Sequence, residues 1–213
     1  MKKLSKVFYS IVFLLIFSTS ASYAGLSLPK VGGDSAGGGN IDEAKTKFTQ
    51  IFFESALNYM EAQFHLFNAL EMNDEAAKTK KSIDFVKDDK KKEGKRLTNA
   101  FNAVSENSDA IESALTDTAA TSAEAKAHYA KALPFAVKGI MGTIQLPPEA
   151  KSLLDTIKAD KMAALKLKDF VKVLPKIPDY VKTATKVGKL VVGGAKSRDV
   201  KGAKDAANEL GDL

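Results

Sequence analysis

Residues 41–71 read IDEAKTKFTQIFFESALNYMEAQFHLFNALE, and this stretch decides the fold class. Its apolar residues recur three or four positions apart, as they do on one face of an α-helix. The members of this stripe are Ile41, Ala44, Phe48, Ile51, Phe52, Tyr59, Leu66 and Leu70. On a helical wheel the apolar arc covers well over half of the circumference. We therefore expect a long central helix that is packed on more than one side.

The same periodicity continues along the rest of the chain. It predicts further helices over about residues 74–118, 121–144, 149–173, 178–192 and 199–210. No segment alternates between apolar and polar residues for long enough to predict a strand. The sequence thus predicts an all-α protein, a multi-helix bundle of about five or six helices with a long apolar central first helix. A single helical-bundle domain is expected over residues 41–213.

Capping and helix-breaking residues predict where these helices begin and end. Asn40 with Glu43, and Thr121 with Glu124, have the spacing of capping boxes. Gly94 is a weak point at which the second helix could break. Pro147 and Pro148 predict a stop and a restart. The pair Gly193-Gly194 predicts the end of the fifth helix.

The first 24 residues resemble a secretory signal peptide. Three lysines precede an apolar run over 7–17, and small residues lead to Ala24. The apolar run is shorter than the roughly 20 residues of a membrane-spanning helix. We expect export with cleavage after Ala24, to the periplasm or, alternatively, to the medium. Residues 25–40 contain six glycines and predict a flexible tail.

Composition excludes several functional classes. The chain has no cysteine, which rules out disulfide scaffolds, thiol catalysis and cysteine-ligated metal centres. Only Arg96 and Arg198 carry the guanidinium that nucleic-acid readers depend on, so we expect no nucleic-acid partner. The net charge of +6 falls to +3 without the signal peptide. The remaining charge alternates in sign between blocks, a pattern that favours complementary neighbouring helices.

The only two histidines each follow a glutamate by four residues, as Glu61 with His65 and Glu124 with His128. This spacing puts each pair on one helix face, and two such helices could present a ligand set for a transition metal. Ferritin-type bundles use Glu-x-x-His instead, a spacing that this chain lacks. The interpretation we favour is two solvated Glu–His pairs and no cofactor. A metal- or haem-binding bundle that uses His65 and His128 is the further alternative.

The region 149–194 is basic and amphipathic. Five lysines are expected to contact a membrane or a polymer: Lys172, Lys176, Lys182, Lys186 and Lys189. Such a helix can lie on an anionic membrane surface, but the same pattern describes a bundle helix whose lysines face water.

The sequence leaves three functional hypotheses. Nucleophile elbows, zinc-protease motifs and phosphate-binding glycine loops are missing, so we do not expect an enzyme. The leading hypothesis is an exported, non-catalytic bundle that binds an envelope protein or an acidic polymer. The alternative is a membrane-active or lipid-binding protein that acts through residues 149–194. The further alternative is the metal or haem protein.

Overall fold

Helices account for every regular element in the described residues. The computed structural model describes residues 41–117 and 122–211, and it shows no strand in them, which confirms the all-α class. The predicted signal peptide at 1–24, the predicted tail at 25–40 and the predicted cap at Asn40 lie outside the described residues. The helices are α1 (Ile41–Ala69), α2 (Asn73–Lys87), α3 (Glu93–Asp117), α4 (Ala123–Ile144), α5 (Leu146–Ala159), α6 (Lys161–Lys166), α7 (Lys168–Val173), α8 (Ile177–Ser197) and α9 (Ala203–Leu210), with a 3₁₀ turn at Leu174–Lys176 between α7 and α8.

Helix α1 packs most extensively against four other helices. It packs on α2, α3, α4 and α5, and its contact with α4 is the most extensive in the fold. The aromatic side chains Phe48, Phe52, Tyr59 and Phe67 are buried in the core that these helices enclose. Burying aromatic side chains of this size is the dominant favourable term in holding such a bundle together.

Glycines allow α1 and α4 to approach closely. A Cβ atom added at Gly142 would lie 2.6 Å from the Cβ of Ser55, and one added at Gly139 would lie 2.9 Å from Cδ2 of Tyr59. Real Cβ atoms do not come this close to neighbouring carbons. The spacing of the two helices therefore depends on glycine at both positions.

The bundle has more helical segments than the sequence predicted, because two predicted helices are interrupted. The predicted helix at 74–118 is split by residues 88–92, just ahead of Gly94, into α2 and α3. The predicted helix at 149–173 is split into α5, α6 and α7. Asp160 has an extended backbone, and its carboxylate accepts a hydrogen bond from the Met162 N–H at 2.8 Å. This cap satisfies one of the N–H groups that the first turn of α6 leaves without an intrahelical partner, and it starts α6.

Two predicted helix ends also differ from the structure. The side chain that caps α4 is Ser122, which accepts from the Ala125 N–H at 3.0 Å, rather than Thr121. Helix α8 does not end at Gly193-Gly194 but continues to Ser197. Glycine inside a helix costs only about 1 kcal/mol. Since Val192 and Ala195 are buried, packing on both sides of the glycines outweighs that cost.

Ion pairs join neighbouring helices across the bundle surface. Lys87 of α2 contacts Glu61 of α1 at 2.8 Å, and Lys47 of α1 contacts Glu149 of α5 at 2.7 Å. Lys186 of α8 pairs with Glu112 of α3. Partly exposed pairs of this kind contribute little stability each. These pairs place opposite charges of neighbouring helices beside one another, which is the arrangement that the alternating charge along the sequence favours.

Candidate functional site

The structure brings the two histidines together. The rings of His65 on α1 and His128 on α4 are 5.9 Å apart between centroids and tilted by 41°. Both side chains are half-buried. This arrangement differs from the favoured interpretation of two separate solvated pairs. The packing of α4 on α1 brings His128 beside His65.

Aromatic rings surround His65. Phe64 lies 5.3 Å away and Phe135 stacks on the imidazole at 6.1 Å, both between ring centroids. Burial lowers the pKa of His65, and the nearby His128 and Lys131 lower it further, while Glu61 acts in the opposite direction. The imidazole is therefore held in its neutral form at neutral pH, and it keeps a lone pair.

The two glutamates do not pair with their histidines. Glu61 is bound by Lys87, and Glu124 is exposed, with no ion pair to any described residue. Within residues 41–117 and 122–211, no group of three or more His, Cys, Asp or Glu side chains is arranged to hold a metal ion. The protein ligands on offer are thus the two imidazoles. Haem ligation by the pair stays an alternative hypothesis.

A polar cavity of about 280 Å³ adjoins His128. Its other lining residues include Asn68, Glu71, Ser122 and Glu124, from the end of α1 and the start of α4. The cavity is partly open to solvent. It gives small ions and water a route to His128.

The five predicted contact lysines are all exposed. Lys182, Lys186 and Lys189 lie on the solvent side of α8, opposite the buried Tyr180 and Val187. Lys186 differs from the prediction, because its ammonium is engaged by Glu112. Lys172 and Lys176 lie at the end of α7 and in the 3₁₀ turn.

Sequence reasoning missed the most exposed apolar residues of this region. Leu165 and Met162 on α6 are 72% and 61% exposed. The sequence predicted one continuous helix over 149–173, but the break at Asp160 sets α6 apart. Residues three apart share a helix face, so the two side chains lie side by side, opposite Ala163, which is buried. The signal for this arrangement was the capping Asp160 ahead of a short lysine-flanked segment.

Lysines border this apolar pair. The lysines on and around α6 are Lys158, Lys161, Lys166 and Lys168, all exposed and none in an ion pair with another described residue. Helix α6 packs mainly on its chain neighbours α5 and α7. We call this set of four lysines with Met162 and Leu165 the α6 surface.

None of the helices in the described part of the chain has both the length and the hydropathy that crossing a membrane requires. Comparison with known proteins adds no relative, since no protein-family model, no curated protein and no solved structure matches this chain. The function is therefore inferred from the two arrangements above, the α6 surface and the histidine pair.

Proposed function

We propose that this protein is an exported, non-catalytic bundle, organised around the long apolar helix α1, that docks on an anionic lipid surface through the α6 surface. The observation that carries the proposal is the exposure of Leu165 and Met162 between exposed lysines. A bundle buries such side chains when it can, since each one left in water forgoes a favourable transfer. Large apolar side chains rimmed by positive charge are typical of interfacial membrane contacts.

The expected contributions to the binding free energy suit reversible docking. Inserting Leu165 and Met162 into the headgroup region removes most of their remaining exposed surface, worth about 1–2 kcal/mol each. Each lysine close to an anionic surface adds about 1 kcal/mol. The lysine stems can lie along the apolar boundary while the ammonium groups reach the phosphates. Together these contributions support peripheral binding that salt weakens.

An acidic polymer or an acidic envelope protein is the competing partner. Either would use the lysines of α6 and also Lys172, Lys176 and Lys182. A hydrophilic polymer leaves Leu165 and Met162 in water, however, and so gives the most exposed apolar pair no role. The lipid surface uses both parts of the α6 surface, and for that reason we favour it.

Vesicle co-sedimentation tests the proposal. The wild-type chain should sediment at low salt with vesicles that contain phosphatidylglycerol, and much less with pure phosphatidylcholine. The double variant M162Q/L165Q should lose most of this binding. The matched control M141Q/L190Q makes the same two changes at side chains that are 45% and 42% exposed on α4 and α8, and it should bind as the wild type does.

The outcomes separate the partners. No sedimentation with anionic vesicles at low salt would refute lipid docking. Binding to soluble polyglutamate that survives M162Q/L165Q, with no vesicle binding, would point to an acidic polymer or protein instead. Loss of vesicle binding in the control variant alone would move the contact from α6 to α8.

A further inference from the structure

The histidine pair offers chemistry that lipid docking does not use. His65 and His128 are the only histidines in the chain, they come from two different helices, and the structure places their rings in contact range. Helices α1 and α4 make the most extensive interhelical contact of the bundle, so both rings are carried on rigid elements. A site on such elements holds its ligands more precisely than one on loops.

We propose that His65 and His128 form a two-histidine site for a divalent late transition-metal ion, Cu²⁺ in preference to Ni²⁺ or Zn²⁺. Imidazole nitrogen suits these ions, and Cu²⁺ is bound most tightly in the series. Water or a group from a second molecule completes the coordination.

The spacing of the rings fits a shared ion. Metal–nitrogen bonds of about 2.0–2.1 Å put the centroids of two ligating imidazoles roughly 4.5–6.3 Å apart, depending on the angle at the metal. The observed separation of 5.9 Å falls inside this range.

The nitrogens have unused lone pairs or protons. Nδ1 of His65 and Nδ1 of His128 are both buried, and neither has a hydrogen-bond partner in the described residues. Buried polar atoms in folded proteins are nearly always satisfied, so two unsatisfied imidazole nitrogens at one contact require an explanation. An ion bound between the rings supplies one.

Access also favours a metal ligand. The cavity beside His128 admits hydrated ions, and the carboxylates of Glu71 and Glu124 in its lining attract cations. Stacking of Phe135 on His65 limits the motion of that ring.

Copper titration of the untagged chain tests the site. Calorimetry with Cu²⁺ alone should show one equivalent bound, and electron paramagnetic resonance should show nitrogen ligation. His65→Gln and His128→Gln should each weaken binding by about tenfold or more, because each removes one of the two protein ligands. The control Glu61→Gln alters the adjacent carboxylate, which Lys87 already engages, and should bind Cu²⁺ as the wild type does.

Thermal melting with and without Cu²⁺ tests binding even when a variant is less stable than the wild type, because each variant is compared with itself. Cu²⁺ should raise the Tm of the wild type and of Glu61→Gln, and should leave the Tm of each histidine variant unchanged. Copper binding that is equal in the wild type and both histidine variants would overturn the proposal. The histidine variants should still bind anionic vesicles, so failure of this site and failure of lipid docking are distinguishable.

Discussion

The hydroxyl of Tyr59 donates a hydrogen bond to the main-chain carbonyl of Ala184, which joins α1 to α8 inside the core. Tyr180, also buried, has a hydroxyl without a hydrogen-bond partner among the described residues. Both hydroxyls are therefore buried, but of the two only that of Tyr59 has a hydrogen-bond partner in the described part of the chain. Burial raises the pKa of both hydroxyls well above the ordinary value, and proximity to Tyr180 raises that of Tyr59 further.

Replacing the two tyrosines by phenylalanine should have unequal effects. Tyr59→Phe removes the hydrogen bond to the Ala184 carbonyl and should lower the free energy of unfolding by about 1 kcal/mol. Tyr180→Phe removes a buried hydroxyl that has no partner, and it should leave the free energy of unfolding unchanged or increase it. Urea denaturation followed by circular dichroism measures both. Equal destabilisation by the two variants would contradict this assignment.

Alkaline pH should unfold the protein cooperatively. The folded state keeps protons on Tyr59 and Tyr180, whereas the unfolded chain releases them near the ordinary pKa of 10.0. The folded state thus binds more protons, and its stability falls as the pH rises above that value. Tyrosinate absorbance from these residues should appear together with the loss of helix. Tyr180→Phe should make the decline in Tm with pH shallower, and an unchanged decline would be evidence against the mechanism.

Adding a methyl group between α1 and α4 should destabilise the bundle. Gly142→Ala and Gly139→Ala place a Cβ atom against Ser55 and against Tyr59, and each should cost about 1–3 kcal/mol. Gly193→Ala is the matched control, because no described atom beyond the local backbone of its own helix and its chain neighbours lies within 4 Å of the added Cβ. Better helix propensity should make that variant more stable by up to about 1 kcal/mol. Thermal melting of the three variants gives the comparison, which a destabilised Gly193→Ala would contradict.

A buried polar cluster joins α1, α2 and α3. Gln63 donates to the Val104 carbonyl at 3.0 Å and to Ser108 at 3.1 Å, and it accepts from Asn107 at 3.1 Å. Asn107 also donates to Thr79 at 3.0 Å. Gln63, Thr79 and Ser108 are buried, and Asn107 is half-buried.

Removing the amide of Gln63 should therefore be costly. Gln63→Leu removes the hydrogen bonds that Asn107 and Ser108 make with the Gln63 amide. The free energy of unfolding should fall by about 1–3 kcal/mol. Gln50→Leu, on the exposed face of the same helix, is the control and should change stability little. Chemical denaturation of both variants checks this, and similar midpoints would rule out a stabilising role for the cluster.

Local spacing accounts for much of the fold. The period of Tyr180, Ala184, Val187 and Val191 marks the buried face of α8 without any structure, and the prolines at 147 and 148 mark where α5 begins. Leu190 shows the limit of this reasoning, since it lies three positions after the buried Val187 yet remains 42% exposed. Periodicity places a residue on a side of its helix, but the neighbouring helices decide how far that side is covered.

The candidate sites depend on relations that are not local. Asp160 is recognisable from the sequence as a helix cap. The exposure of Leu165 is not, because it also requires that none of the other described helices covers α6. The glutamate–histidine spacing was visible in the sequence. The contact between His65 and His128 was not, because those residues are 63 positions apart and meet only when α1 packs on α4.

The sequence by itself determined the helical class, most helix positions and the alternation of charge, because these follow from side chains within a turn or two of one another. Tertiary structure alone decided which helices became neighbours. It brought the two histidines together, paired Glu61 with Lys87, continued α8 through its glycines and left the α6 surface uncovered by the other described helices. The physical reason is that burial is a property of the assembled helices, whereas propensity and periodicity belong to each segment alone.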